Sequence, residues 1–370
     1  MTRHGLRVLD SDLHVIEPED LYDRYLDVAF RDRVPRRLKD SRGYLHHWQV
    51  GEYIFPRPVG RGRTDADEHS RGVLREYAAA GFDAAAQLRA MDVEGVDIAV
   101  LFRTLPVVCA DDYPADFALA LCRAWNDWMA DFRARDPRRL RAAALLTLHD
   151  PRLAAEELRR AVTSLGFVAA QMMPNPVNGV NLHDPALDPL WAEAERLGVP
   201  VCFHPTKHNY SRDHFVNRFL TRPSSTLAHT LNNPVELMSA IACMTAGGVL
   251  ERFPRLRCAF LEGNCAWLPW LLWRLDEQWE TCRSGEDIRL QALPSEYFRR
   301  QCFISVDADE DQVGWVIQKL SDDTIVFSTD YPHSDSHFPD ATELFLKLPI
   351  ADGSKRKILW DNCARLYNLS

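Results

Sequence analysis

The chain has 370 residues, 46% hydrophobic and 10% aromatic, enough for a sizeable core, and its 44 basic and 53 acidic residues leave a formal charge of −9. Those charges are interspersed, with no basic stripe of the kind that binds nucleic acid and no like-charge tail. The nine cysteines occur singly, which argues against zinc ribbons and disulfide scaffolds, and no apolar run nears the roughly 20 residues that span a bilayer. A strand begins almost at once in place of a secretory leader, so the expectation is a soluble cytoplasmic protein.

In chain order, eight short apolar runs read as strands: LRVLDSD (6–12), DIAVLF (97–102), LRAAALLT (140–147), FVAAQMM (167–173), PVCFHP (200–205), LRCAFLEG (256–263), QCFISVD (301–307) and TIVFSTD (324–330). They are continuously apolar, as parallel strands buried on both faces should be. Amphipathic segments separate them: 84–95, 115–135, 151–166, 185–198, 233–253, 266–280 and 309–320. Gly95, Gly166 and Gly198 stand just before the next strand, where a helix end favours a left-handed residue. Eight strand–helix units predict a single (β/α)8 TIM barrel over residues 1–370. A doubly wound sheet would usually open with a glycine-rich phosphate turn, and LDSDLHVIEP is not one. Long excursions at 31–80 and 206–232 follow the first and fifth strands, where they are candidate lids or dimer contacts.

In a barrel the chemistry sits where strands end. Asp12 and His14 end the first strand and, two residues apart, point to one face. Arg103 ends the second, Gln171 the fourth, His204 the fifth, Glu262 the sixth, Asp307 the seventh and Asp330 the eighth, while Thr147 and His149 read as a turn. Asp12, His14, His204 and Asp330 can converge, since the first and eighth strands meet at closure. Two imidazoles and two carboxylates suit one divalent ion, Zn²⁺ or alternatively Mn²⁺, with room for substrate or water. His333 lies near the ligand loop, and Arg103 offers a bidentate fork to a substrate carboxylate. Glu17, before Pro18, reads as a helix start, and Trp267, Trp270, Trp273 and Trp279 as core or a homodimer interface.

The stretches DSDLHVIEP, MDVEGVDIAVLF, CFHP, GGVLERFPRLRCAFLEGNCAWLPWLLWRLDE, FSTDYPHSDS and ILWDNCARLYNL together resemble the amidohydrolase-2 branch of the amidohydrolase superfamily. That branch contains decarboxylases of aminocarboxymuconate semialdehyde, γ-resorcylate and 5-carboxyvanillate. The resemblance implies one divalent metal on a (β/α)8 barrel, held by Asp12, His14, His204 and Asp330. Two departures are visible. Gln171 stands where binuclear relatives carry a carboxylated lysine, which disfavours a second metal. Glu262 and Gly263 stand where the decarboxylases carry a histidine, and His229 is a candidate replacement for it.

Two reactions follow. In a decarboxylase, the metal chelates a substrate carboxylate and an adjacent oxygen, Asp330 protonates carbon, and Arg103 holds a second anion. In a hydrolase of an amide, ester or lactone, the metal lowers the pKa of bound water toward about 7 and Asp330 accepts its proton, with Glu262 as a possible extra base. Kinship favours the carbon–carbon lyase acting on a small carboxylated aromatic or conjugated acid; the lost histidine favours the hydrolase. The lyase is the preferred expectation.

Overall fold

The computed structural model describes residues 5–39, 45–50, 53–55, 72–104, 110–206, 211–219, 225–333 and 336–369. All eight predicted strands form: β1 (Leu9–His14), then β5 (Ile98–Phe102), β6 (Leu140–Leu145), β7 (Ala169–Met172), β8 (Val201–Phe203), β9 (Cys258–Phe260), β10 (Cys302–Val306) and β11 (Ile325–Phe327). They make one parallel sheet in that order. Between β1 and β5, the first excursion contributes β2 (Arg36–Lys39), β3 (Leu45–Val50) and β4 (Tyr53–Phe55), a small antiparallel sheet that periodicity did not predict. Residues 40–44, 51–52 and 56–71 of the first excursion, and 207–210 and 220–224 of the second, lie outside the described residues.

The barrel closes between its first and last strands through cross-seam hydrogen bonds. The Ser11 hydroxyl donates to the Phe327 carbonyl (2.7 Å), the Asp330 N–H to Asp12 O (3.3 Å), and the His14 N–H to Tyr331 O (2.7 Å). The seam is thus stitched by the residues expected to carry the chemistry. Leu9, Val100, Ala143, Ala169, Cys202, Ala259, Phe303 and Val326, one from each barrel strand, meet inside it, and the C-terminal helix (Asn362–Tyr367) packs Cys363, Leu366 and Tyr367 against them. A fully buried side chain of this size contributes about 1.5–3 kcal/mol. The larger core lies between sheet and helices.

The helices mostly begin and end as periodicity predicts. Asp83 and Asp150 cap two N-termini through side-chain acceptance of backbone N–H groups, and Gly95 (φ 87°) and Gly198 (φ 69°) end helices in the left-handed conformation. One boundary differs. The helix expected from residue 233 runs from Ser225 to Met244 and carries Pro234 in its interior. Proline forfeits one helical hydrogen bond, but burial of Leu237, Ala240, Ile241 and Met244 against the barrel outweighs that loss. Consequently Asn232, Asn233 and His229 ride on a helix rather than a loop. In the helix Leu268–Cys282, Trp279 is buried, whereas Trp270 and Trp273 are exposed.

Candidate metal centre

β1 has a register irregularity between Asp10 and Leu13, and the two acids of DSD part company there. Asp10 is a brace. Its carboxylate accepts the backbone N–H groups of Asp12 (3.1 Å) and Thr329 (3.3 Å) and the Thr329 hydroxyl, tying the first strand to the last. Burial pushes its pKa up to about 8.

Asp12 and His14 face the same point, joined there by His204. The two imidazoles are oriented from behind: His14 Nδ1 lies 2.8 Å from the Arg103 carbonyl and His204 Nδ1 2.9 Å from the Pro205 carbonyl. A carbonyl only accepts, so each Nδ1 carries a hydrogen and each Nε2 is left for the centre. The two Nε2 atoms stand 3.0 Å apart, and each is 3.4 Å from an oxygen of Asp12. Asp330 Oδ1 lies 3.3 Å from His14 Nε2, and Glu262 Oε2 lies 3.1 Å from His204 Nε2. Donors bonded at about 2.1 Å to a common ion are separated by roughly 3.0 Å in an octahedron and 3.4 Å in a tetrahedron. The observed spacings span that range.

A second observation supports the same fit. Both Asp12 oxygens are fully buried and have no hydrogen-bond partner among the described residues. An uncompensated buried carboxylate is costly. Burial alone would raise its pKa, yet the His204 and His14 rings hold it well below the usual carboxylate range. Burial opposes charging of His204 as well, but Asp12 and Glu262 push it up to about 9. Burial, with the charge of His333 next, lowers His14 to about 3. The pocket draws in a cation, and these donors fit a divalent one.

Around this group lie residues whose roles were not visible in the sequence. The Thr104 hydroxyl donates to Val15 O (2.6 Å), so its oxygen is left to accept from His333 Nε2 (3.2 Å). His333 Nδ1 in turn stands 2.8 Å from Asp330 Oδ1, at ion-pair distance. Thr104 is held in turn by Glu17, which accepts its N–H (3.1 Å) and the Trp125 indole N–H (2.8 Å). The helix-start reading of Glu17 is therefore corrected: the helix begins at Leu21, and Glu17 is a buried acceptor supporting the site. Burial raises its pKa.

Glu262 follows β9 at φ 56°, and Asp330 follows β11 at φ 56°. Left-handed backbone is uncommon away from glycine, and its clustering here marks strain held at the site. Burial pushes Glu262 up to about 8. Gln171 is structural: it accepts the Arg103 N–H (3.2 Å) and donates to Ala143 O (2.7 Å). Asp307 accepts from Asn264 (2.7 Å). His149 bonds to Thr147 and, through Nε2, to the Ala110 carbonyl (2.8 Å), which accords with a turn before the Asp150 cap. Arg103 is buried beside a small recess lined with Thr147, Met172, Met173 and Asn175, and its Nη2 lies 3.1 Å from Met173 Sδ.

With that geometry in hand, likeness to known proteins can be read on it. A γ-resorcylate decarboxylase of Rhodococcus jostii is 30% identical over 298 residues, covering 76% of this chain and 87% of the relative. An amidohydrolase structure from Mycobacterium avium subsp. paratuberculosis superposes with a TM-score of 0.80 at 23% identity, covering 99% of each chain. The 5-carboxyvanillate decarboxylase of Novosphingobium aromaticivorans, complexed with manganese and 4-hydroxy-3-methoxy-5-nitrobenzoic acid, does so with a TM-score of 0.74 at 19% identity, covering 99% of this chain and 97% of that one. At such identities the two structures speak to the fold alone. The amidohydrolase family model matches residues 10–369, from the first strand through the C-terminal helix, and the protein belongs to that family.

Proposed function

We propose that the protein is a metal-dependent decarboxylase of a small carboxylated aromatic acid, with Asp12, His14, His204 and Asp330 as ligands of one Zn²⁺ or Mn²⁺ ion. The observation that carries this reading is the convergence of Asp12, His14 and His204 on one buried point, with Asp330 and Glu262 beside them at spacings that match a divalent ion. Arg103 offers a fork to an anionic substituent. When bound, the ion supplies a Lewis-acidic anchor for a substrate oxygen.

The chain's own residues supply the proton. Asp330 Oδ1 and His333 Nδ1 share one, and Thr104 fixes the ring that holds it. That proton passes from Asp330 to the ring carbon bearing the carboxylate. The bond to the carboxylate then breaks, its electron pair returns to the ring, and carbon dioxide leaves. The reaction takes up one proton per turnover, and a proton from solvent recharges the Asp330–His333 pair. Glu262, facing His204, completes the catalytic set. Kinship supports the lyase, since the 30%-identical relative is a γ-resorcylate decarboxylase.

The test joins metal analysis to turnover. Protein purified without chelator is expected to hold about one divalent ion per chain and to release carbon dioxide from 2,6-dihydroxybenzoate or a related hydroxylated benzoate. Turnover confined to esters, lactones or amides would replace the reading with the hydrolase.

A further inference from the structure

Glu262 stands where the resemblance places a histidine, and the surrounding structure invests heavily in its position. Its backbone is left-handed, at φ 56°. Its N–H is held by the buried Ser305 hydroxyl at 3.1 Å. The next residue, Gly263, lies so close to the helix Ser225–Met244 that a Cβ there would sit 2.4 Å from Leu237 Cδ1. The Trp267 indole N–H also donates to the Gly263 carbonyl (2.6 Å), pinning the loop from its far side. The absence of a side chain at 263 thus lets the helix press onto the loop, one turn along from Asn233.

Asn233 uses that proximity. Its amide N–H donates to Glu262 Oε1 at 3.1 Å, and its own oxygen accepts from Asn232 at 3.1 Å, which fixes the orientation of the amide. Asn232 is anchored in turn by the Thr206 carbonyl (3.0 Å). One Glu262 oxygen is therefore occupied by the protein. The other, Oε2, faces His204 Nε2 at 3.1 Å, and a Glu262 carboxylate oxygen lies within 4.8 Å of ligand atoms on His14, Asp330 and His333. Its spacing from His204 lies within the range found among the other donors.

From this geometry we infer that Glu262 is a fifth ligand of the metal, bound through Oε2 and steadied through Oε1 by Asn233. This rests on the metal-centre reading above and deepens it. Three carboxylates and two imidazoles form an oxygen-rich set, which suits Mn²⁺, an ion that takes six ligands, better than the four-coordinate preference of Zn²⁺. The Asn233 amide acts as an outer partner that aims the carboxylate.

The probe is Mn²⁺ itself, titrated into chelator-stripped full-length protein, with affinity read by competition against a chelator and coordination read by electron paramagnetic resonance. Glu262→Gln is expected to weaken Mn²⁺ binding by more than about 100-fold and to change the Mn²⁺ spectrum; Asn233→Ala, which keeps the carboxylate, should cost about 10-fold. Circular dichroism establishes that each variant is folded, and Asn233→Ala decides the matter if Glu262→Gln is not. Wild-type affinity in a folded Glu262→Gln, or in Asn233→Ala if only that variant folds, would overturn the assignment while leaving the four-ligand centre standing. Failure of the wild-type protein to bind Mn²⁺ would overturn both.

Discussion

Replacing Thr104 with valine tests whether the support behind the metal centre matters as the geometry requires. The substitution preserves shape and removes one hydroxyl. That hydroxyl donates to the carbonyl of Val15 and accepts from His333, whose other nitrogen contacts Asp330. Leaving a buried carbonyl without its donor costs about 1–3 kcal/mol. Unfolding entropy of about 2.1 cal/mol/K per residue over 370 residues comes to roughly 0.8 kcal/mol/K, so Tm should fall by about 1–4 °C. The functional effect is separate. His333 would lose the contact that orients it toward Asp330, and disturbing that outer partner of a ligand should cost up to about 10-fold in metal affinity. Differential scanning calorimetry gives the first quantity and Mn²⁺ competition against a chelator the second. Thr104→Ser keeps the hydroxyl and should restore most of both. A Thr104→Val protein with lowered Tm but unchanged metal affinity would show that the hydroxyl is merely structural. If neither quantity changes, the relay through His333 is wrong.

Three further outcomes are expected. His204→Ala should retain no stoichiometric metal by mass spectrometry, because it removes one of the two buried nitrogen donors. Arg103→Lys keeps the charge but loses the planar fork, so KM should rise on the order of tenfold for substrates carrying a second anionic group, and little for those without one; equal effects on both would remove Arg103 from substrate recognition. Glu236 is buried, accepts the Phe215 N–H (2.6 Å), and is pushed by burial from 4.5 up to about 7. Its native state therefore holds a proton more tightly than the unfolded chain, and the stability so gained is lost as pH rises from about 4.5 through about 7, on the order of 3 kcal/mol. Glu236→Gln should flatten that part of the Tm-against-pH curve; an unchanged slope between pH 5 and 8 would refute this assignment.

The four proposed ligands were readable in the sequence because their placement depends on local rules. Two-residue periodicity aligns Asp12 with His14, and a barrel gathers the ends of its apolar strands at one rim, which brought in His204 and Asp330. Gly95, Gly166 and Gly198 before strands marked helix ends for the same local reason. The helix around Asn233 was misread where a local rule lost to tertiary burial: Pro234 looks like a first-turn residue, but the helix passes through it to keep its apolar face on the barrel. That single boundary concealed the Asn233 contact to Glu262.

Glu17 was likewise read as an acid favouring a helix start, until Trp125, 108 positions away in sequence, gave it a buried donor. Thr104 carries no sequence signal at all; its importance arises from simultaneous contact with Val15 and His333, 229 positions away. The sequence by itself determined which side chains end the barrel strands, because strand period and apolar patterning are properties of neighbours in the chain. Only the tertiary structure decided which nitrogen of each imidazole is free, which carboxylate oxygen is already engaged, and how far apart the donors stand. Those depend on carbonyls, amides and hydroxyls brought together from distant segments when the barrel closes.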